Sequence, residues 1–172
     1  GKTVLMSTLL YELGKYNLDL DENLDIHLLV NHNEHVSIYS QIASKLGIAN
    51  KKNKIVQKPT SFINNNSSDE KVDVVIVDEA HLLLTQGKQS YQGKNHLDDL
   101  LARAKVVVIV FDIKQVLTTE QIWEVDKLNE YFDKAKSNSN HVTLRNQMRI
   151  NSDISTVNWI RNLVDYQVIN SI

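Results

Sequence analysis

The sequence predicts an α/β fold, a mostly parallel sheet carrying helices on both faces in three layers. Three observations predict it. Val74, Val75, Ile76 and Val77 form a branched apolar run too short and too β-branched for a comfortable helix, the pattern of a strand buried on both faces. A second run of the same kind, residues 106–111, follows after a segment with helical spacing. Both runs stop on acid, Asp78-Glu79 in the first and Asp112 in the second. Parallel strands that end this way deliver charge to the crevice outside their C-terminal ends, where open α/β sheets place ligands.

A chain of 172 residues with 42% hydrophobic and 23% charged content suits one domain, residues 1–172, with a sizeable core. The absence of cysteine excludes disulfides, thiol chemistry and thiolate-held zinc, and permits a reducing compartment; the expected location is cytoplasmic. No apolar run approaches the roughly 18 residues of a membrane span, so no membrane partner is expected. The net charge of −2 offers no bulk electrostatic case for nucleic acid. A local groove is the alternative: the basic cluster Lys51, Lys52, Lys54 and Lys58 reads as a solvated loop face more readily than as such a groove. A start at Gly1-Lys2 rather than at methionine suggests an excised piece.

Taken in order, residues 4–14 read as a helix ended by Gly14. Residues 25–30 read as a strand, broken at 31–35. Residues 34–46 have apolar positions at Val36, Tyr39, Ile42, Ala43 and Leu46, a helical spacing that ends at Gly47. His32 and His35 are spaced like metal ligands, but no cysteine and no HExxH pattern accompanies them. Ile55-Val56 is a short strand before the single proline, Pro59, and residues 64–71 are a polar connection. Residues 72–77 are the central strand. Residues 85–94, polar with two glycines, read as a mobile loop, either functional or a plain insertion. A helix is expected over 95–104, with leucines at 97, 100 and 101, and then the clearest buried strand, 106–111. Thr118 or Thr119 is expected to cap a helix through about Lys134, and residues 137–140 to turn the chain. A strand at 141–144 and a last helix at 153–164, with Ile154, Val157, Ile160 and Leu163 inward and Trp159 exposed or half-buried, complete the reading.

Chemistry concentrates at two places. Gly1-Lys2-Thr3 is the tail of the phosphate-loop pattern G-x-x-x-x-G-K-[ST], in which backbone N–H groups and the lysine hold phosphates and the hydroxyl binds magnesium. A helix follows at once, as the motif demands. Asp78 could hold a hydrated magnesium ion, and Glu79 could orient or deprotonate an attacking water. The alternative is that both carboxylates merely cap a helix beginning at Ala80.

In order, Gly1-Lys2-Thr3, Val77-Asp78-Glu79-Ala80-His81, Phe111-Asp112-Ile113-Lys114-Gln115 and Leu144-Arg145-Asn146-Gln147-Met148-Arg149 resemble motifs I to IV of superfamily 1 helicases. More narrowly, Gln115-Val116-Leu117 and residues 144–149 followed by Asn158-Trp159-Ile160 resemble the Schlafen-type (group 3) DNA/RNA helicase domain family. The resemblance implies a P-loop NTPase domain of RecA-like type, truncated at its N-terminus within the phosphate loop, with ATP and Mg2+ as cofactors. Lys2 would contact the β and γ phosphates with Gly1 beside it, Thr3 and Asp78 would hold the metal, and Glu79 would act on the hydrolytic water. Gln115 would sense the γ phosphate and Arg149 would neutralise its developing charge; a turn residue and a surface ion-pair residue are the respective alternatives. His81 could couple the nucleotide to a nucleic-acid site, or simply bond within its own neighbourhood. The resemblance further implies single-stranded DNA or RNA as partner in the full-length protein, and a second RecA-like domain outside this chain. Two rival readings are a nucleotide-switched nucleic-acid-binding module that does not unwind, and an AAA-type ATPase, whose sensor pattern Asp112 and Gln115 fit less well.

Overall fold

The computed structural model describes residues 2–20, 23–49, 54–87, 91–112, 123–144 and 151–168. Residues Lys2–Lys134 form one compact unit, and Ala135–Ile172 fall in another. The first unit contains β1 (Ile26–Leu29), β2 (Val56–Gln57), β3 (Val72–Val77) and β4 (Ala104–Ile109), joined in a four-stranded sheet of order β2-β1-β3-β4. Every pairing is parallel, with Leu28 beside both Val56 and Ile76, and Ile76 beside Val108. The expected α/β fold with a parallel sheet is therefore what the chain adopts.

Alternation along the strands divides the core in two, because successive side chains leave a strand on opposite faces. Leu28, Val30 and Ile76 pack with Met6 and Leu10 of α1 (Lys2–Leu20) and Tyr39 and Ala43 of α2 (Asn33–Lys45). Leu29, Val75 and Val77 face the other way. They pack with Phe62 of α3 (Pro59–Asn65), Leu97 and Leu100 of α4 (His96–Arg103), and Trp123 and Leu128 at the start of α5 (Val125–Ser137). Phe62, fully buried, is worth about 2–3 kcal/mol of transfer free energy. Helices thus cover both faces and leave the strand ends open for chemistry.

Several expectations are corrected. Gly14 does not end the first helix, which continues to Leu20. A Cβ at Gly14 would lie 2.8 Å from Ile48 Cβ, so this glycine serves a close approach between α1 and the segment after α2. Gly47 does end α2, at φ +73°. The N–H of Ile48 reaches the Ala43 carbonyl and that of Gly47 the Ser44 carbonyl, the paired bonds of a Schellman end. Pro59, which the sequence showed only as the proline after a short strand, opens α3 at its first position, where a missing N–H costs nothing. Strand β4 starts at Ala104, directly after α4, and is not fully buried: it is the outer strand among those described, with Lys105 and Val106 exposed. Tyr91, inside the stretch expected to be mobile, is a core residue only 2% exposed. The expected start of α5 at Thr118 or Thr119 lies outside the described residues, and the described helix begins at Val125.

In the second unit, residues 141–144 form no strand; all are exposed, so no burial offsets the entropy of ordering them. The last helix, α6 (Ile154–Tyr166), starts at Asp153, whose carboxylate accepts the N–H groups of Ser155 and Thr156 at 2.9 and 3.0 Å. Val157 is buried and Trp159, Ile160 and Leu163 are half-buried, but Ile154, at the first position of the helix, is exposed.

Candidate functional site

The site is built on the turn that follows β3. Asp78 donates its N–H to the Leu29 carbonyl at the end of β1, and Ala80 donates to the Val110 carbonyl beyond β4. The chain between these anchors has little choice. Glu79 takes a left-handed conformation, φ 54° and ψ 50°, which costs an L-residue about 1–2 kcal/mol. A single 3-10 turn, Ala80–Leu82, follows in place of a helix, and neither carboxylate caps it: Glu79 makes no cap bond, and Asp78 Oδ1 instead accepts the N–H of Glu79 at 3.1 Å. The capping alternative therefore does not describe these residues.

Asp78 is 1% exposed and still finds polar partners. Its Oδ2 accepts the hydroxyl of Tyr39 at 3.3 Å. Burial first, and then the charge of Asp78, push the Tyr39 hydroxyl up to about 12, so it stays a donor at neutral pH. Beside it, Lys2 Nζ lies 2.9 Å from Asp112 Oδ2 and 3.9 Å from Glu79 Oε2. His81 Nε2 stands 3.3 Å from the same Glu79 oxygen. His81 is 2% exposed with its ring edge-on to Phe111; burial lowers its pKa, partly opposed by Glu79, and keeps the ring neutral. Among the described residues its Nδ1 has no hydrogen-bond partner, and neither has Nδ2 of Asn31, just past the end of β1.

Among the residues expected to act, Lys2, Thr3, Asp78 and Glu79 are brought to one edge, although more than 70 positions separate Thr3 from Asp78. Gly1, Gln115 and Arg149 lie outside the described residues, as do Lys51 and Lys52 of the basic cluster. Sequence reasoning missed Tyr39 and gave no role to Asp112. Tyr39 was legible as an inward position of α2, and a buried phenol needs a partner for its hydroxyl; only its partner was not. His32 and His35 stack edge-on with their centroids 5.5 Å apart, and among the described residues no group of three or more His, Asp or Glu could hold a metal by itself.

The donor set has a definite chemistry. The Asp78 carboxylate and the Thr3 hydroxyl offer hard oxygen ligands but too few for a protein-only cage, which suits magnesium that keeps its waters and shares phosphate oxygens. The lysine, at the positive end of α1, suits an anion. Among the described residues no helix is long and apolar enough to cross a membrane.

Comparison with known proteins gives the family. The chain is 33% identical over 175 residues to Uncharacterized protein YPL245W of Saccharomyces cerevisiae, an alignment covering 93% of this chain and 38% of that protein. The chain thus spans about two fifths of the length of the curated relative it matches. No solved structure matches it. The family described as Schlafen group 3, DNA/RNA helicase domain, matches residues 1–171, and the chain belongs to that family.

Proposed function

We propose that this chain is the ATP-binding and hydrolysing domain of a superfamily 1-like helicase, a P-loop NTPase of RecA-like type working with magnesium on DNA or RNA. The observation that carries the proposal is the meeting of Lys2, at the N-terminal end of α1, with Glu79, beyond the end of β3, 3.9 Å apart at the open edge of a parallel sheet. A cation and a carboxylate there are the two parts that phosphoryl transfer needs beside a metal, since its catalysis is mainly positioning and charge stabilisation.

In this reading Lys2 leaves Asp112 and neutralises the β and γ phosphates, while Thr3 and Asp78 hold magnesium. The bound metal supplies charge neutralisation across the phosphate oxygens. Glu79 orients the attacking water and takes its proton; the left-handed backbone, fixed at Asp78 and Ala80, keeps its carboxylate beside Lys2. Neutral His81 flanks that carboxylate without adding a second positive charge. Gln115 and Arg149 take the γ-phosphate roles that their motifs imply. Single-stranded nucleic acid is the polymer, and a second RecA-like domain in the full-length protein completes the motor.

The test is ATP hydrolysis by the full-length protein with and without single-stranded DNA or RNA, beside Glu79→Gln. Hydrolysis stimulated by nucleic acid and lost in the variant is the expected result. Nucleotide binding without turnover under any condition would sink the motor reading and leave a nucleotide-controlled nucleic-acid-binding module.

A further inference from the structure

Tyr39 joins two environments. Its ring packs in the core with Met6, Leu10 and Ala43 and is 5% exposed, while its hydroxyl leaves that core for the ends of the strands. There it donates to Asp78 Oδ2 at 3.3 Å. Phenylalanine would fill the same volume, so packing alone does not call for the hydroxyl. That hydroxyl carries α2 to the Asp78 carboxylate at this edge.

We infer that Tyr39 is a positioning residue for a divalent cation, holding the Asp78 carboxylate in the one orientation in which it meets a hydrated ion. The inference rests on the magnesium-nucleotide reading above. Asp78 is fixed at both oxygens, Oδ1 by the Glu79 N–H and Oδ2 by Tyr39, which stops rotation of the carboxylate. Each oxygen keeps a further lone pair for a ligand, because an ionised carboxylate offers about four acceptor sites. Magnesium demands near-octahedral geometry, so a carboxylate already held in place binds it with less ordering cost. The hydroxyl remains protonated at neutral pH and brings no negative charge of its own. Because the ring is anchored in α2, the cation site is tied to the helix that follows β1.

The experiment is a titration of the full-length protein with a fluorescent ATP analogue, in magnesium and in EDTA, for wild type and Tyr39→Phe. Thermal unfolding checks that the variant is folded. Tyr39→Phe is expected to weaken binding in magnesium about five-fold, to raise the magnesium needed for half-saturation, and to leave binding in EDTA within about two-fold. Equal affinities of wild type and Tyr39→Phe in magnesium would overturn the inference, and so would a loss of equal size in both buffers, which a merely structural role would give. Nucleotide binding by wild type that ignores magnesium overturns the inference while leaving the nucleotide site standing. Absence of any binding by wild type overturns both.

Discussion

The Lys2 ammonium is held by the Asp112 carboxylate at 2.9 Å, a contact that joins the first turn of α1 to the chain beyond β4. The same ammonium is 3.9 Å from Glu79. Two carboxylates around one lysine make a negative pocket edge that an incoming phosphate must displace. Asp112→Asn removes the nearer competitor. Both partners are partly exposed, so the direct loss of stability should stay below about 1 kcal/mol. Affinity for an ATP analogue should rise about two- to five-fold, whereas Lys2→Ala should lower it at least about ten-fold. Titration of the two variants side by side decides the matter: a loss in Asp112→Asn as large as that in Lys2→Ala would mean that Asp112 helps to hold the nucleotide rather than competing with it.

Glu79 occupies a backbone conformation that favours glycine, and it is held there by its neighbours' hydrogen bonds to Leu29 and Val110. Strain of this kind at a residue with a chemical role separates stability from activity. Glu79→Gly and Glu79→Ala should both abolish hydrolysis. The glycine variant should nevertheless be about 1 kcal/mol more stable than the alanine variant, because only alanine keeps the Cβ penalty. Urea unfolding of the pair reads this difference directly; equal midpoints would show that the turn relaxes once the side chain is gone.

How much of this was legible follows from the range of the signals. The strand at Val72–Val77 was read from its own residues, because a short branched run with turn chemistry on both sides has one good solution. The grouping of Lys2, Thr3, Asp78 and Glu79 was readable because each belongs to a local motif and parallel topology sends strand ends to one edge. Tyr39 reaching Asp78 was not, since 39 positions separate them and the periodicity of α2 says only that Tyr39 points inward. Val142 and Leu144 misled for the converse reason: a short apolar alternation is necessary for a strand, but pairing depends on a neighbour that the segment itself does not specify.

Gly14 shows the same dependence on tertiary context and yields a prediction of sign. In an exposed helix interior, Gly→Ala stabilises by about 1 kcal/mol. Here the new methyl would stand 2.8 Å from Ile48 Cβ, and overpacking costs about 1–3 kcal/mol. Gly14→Ala should therefore lower the unfolding free energy. Adding Ile48→Ala should make the alanine at 14 neutral or stabilising relative to glycine in the same background. A thermodynamic cycle on the four proteins measures this coupling, and additive effects would show that the helix shifts to accept the methyl at no cost.

The last prediction concerns pH. His96 opens α4, is 1% exposed, and packs its ring against Tyr91 with the centroids 4.1 Å apart. Its Nδ1 accepts the N–H of Leu84 at 3.1 Å, which leaves the proton on Nε2 to be donated to the Thr60 hydroxyl at 3.2 Å. Protonation would put a second hydrogen where Leu84 already donates, and burial lowers the pKa to about 4 despite the opposing charge of Asp99. In the unfolded chain the ring titrates near 6.5, so between these values the unfolded state holds a proton that the folded state refuses. Stability should be full above about pH 6.5, decline as pH falls from there, and stop declining through this group below about 4. The loss is on the order of 3 kcal/mol across the window. His27 and His81 are also lowered, by burial first, and add to the decline in the same direction. Urea unfolding at pH 7 and pH 5 tests this with His96→Gln, which cannot titrate. The wild-type protein should lose more stability than the variant over that interval, and parallel losses would remove His96 as the source.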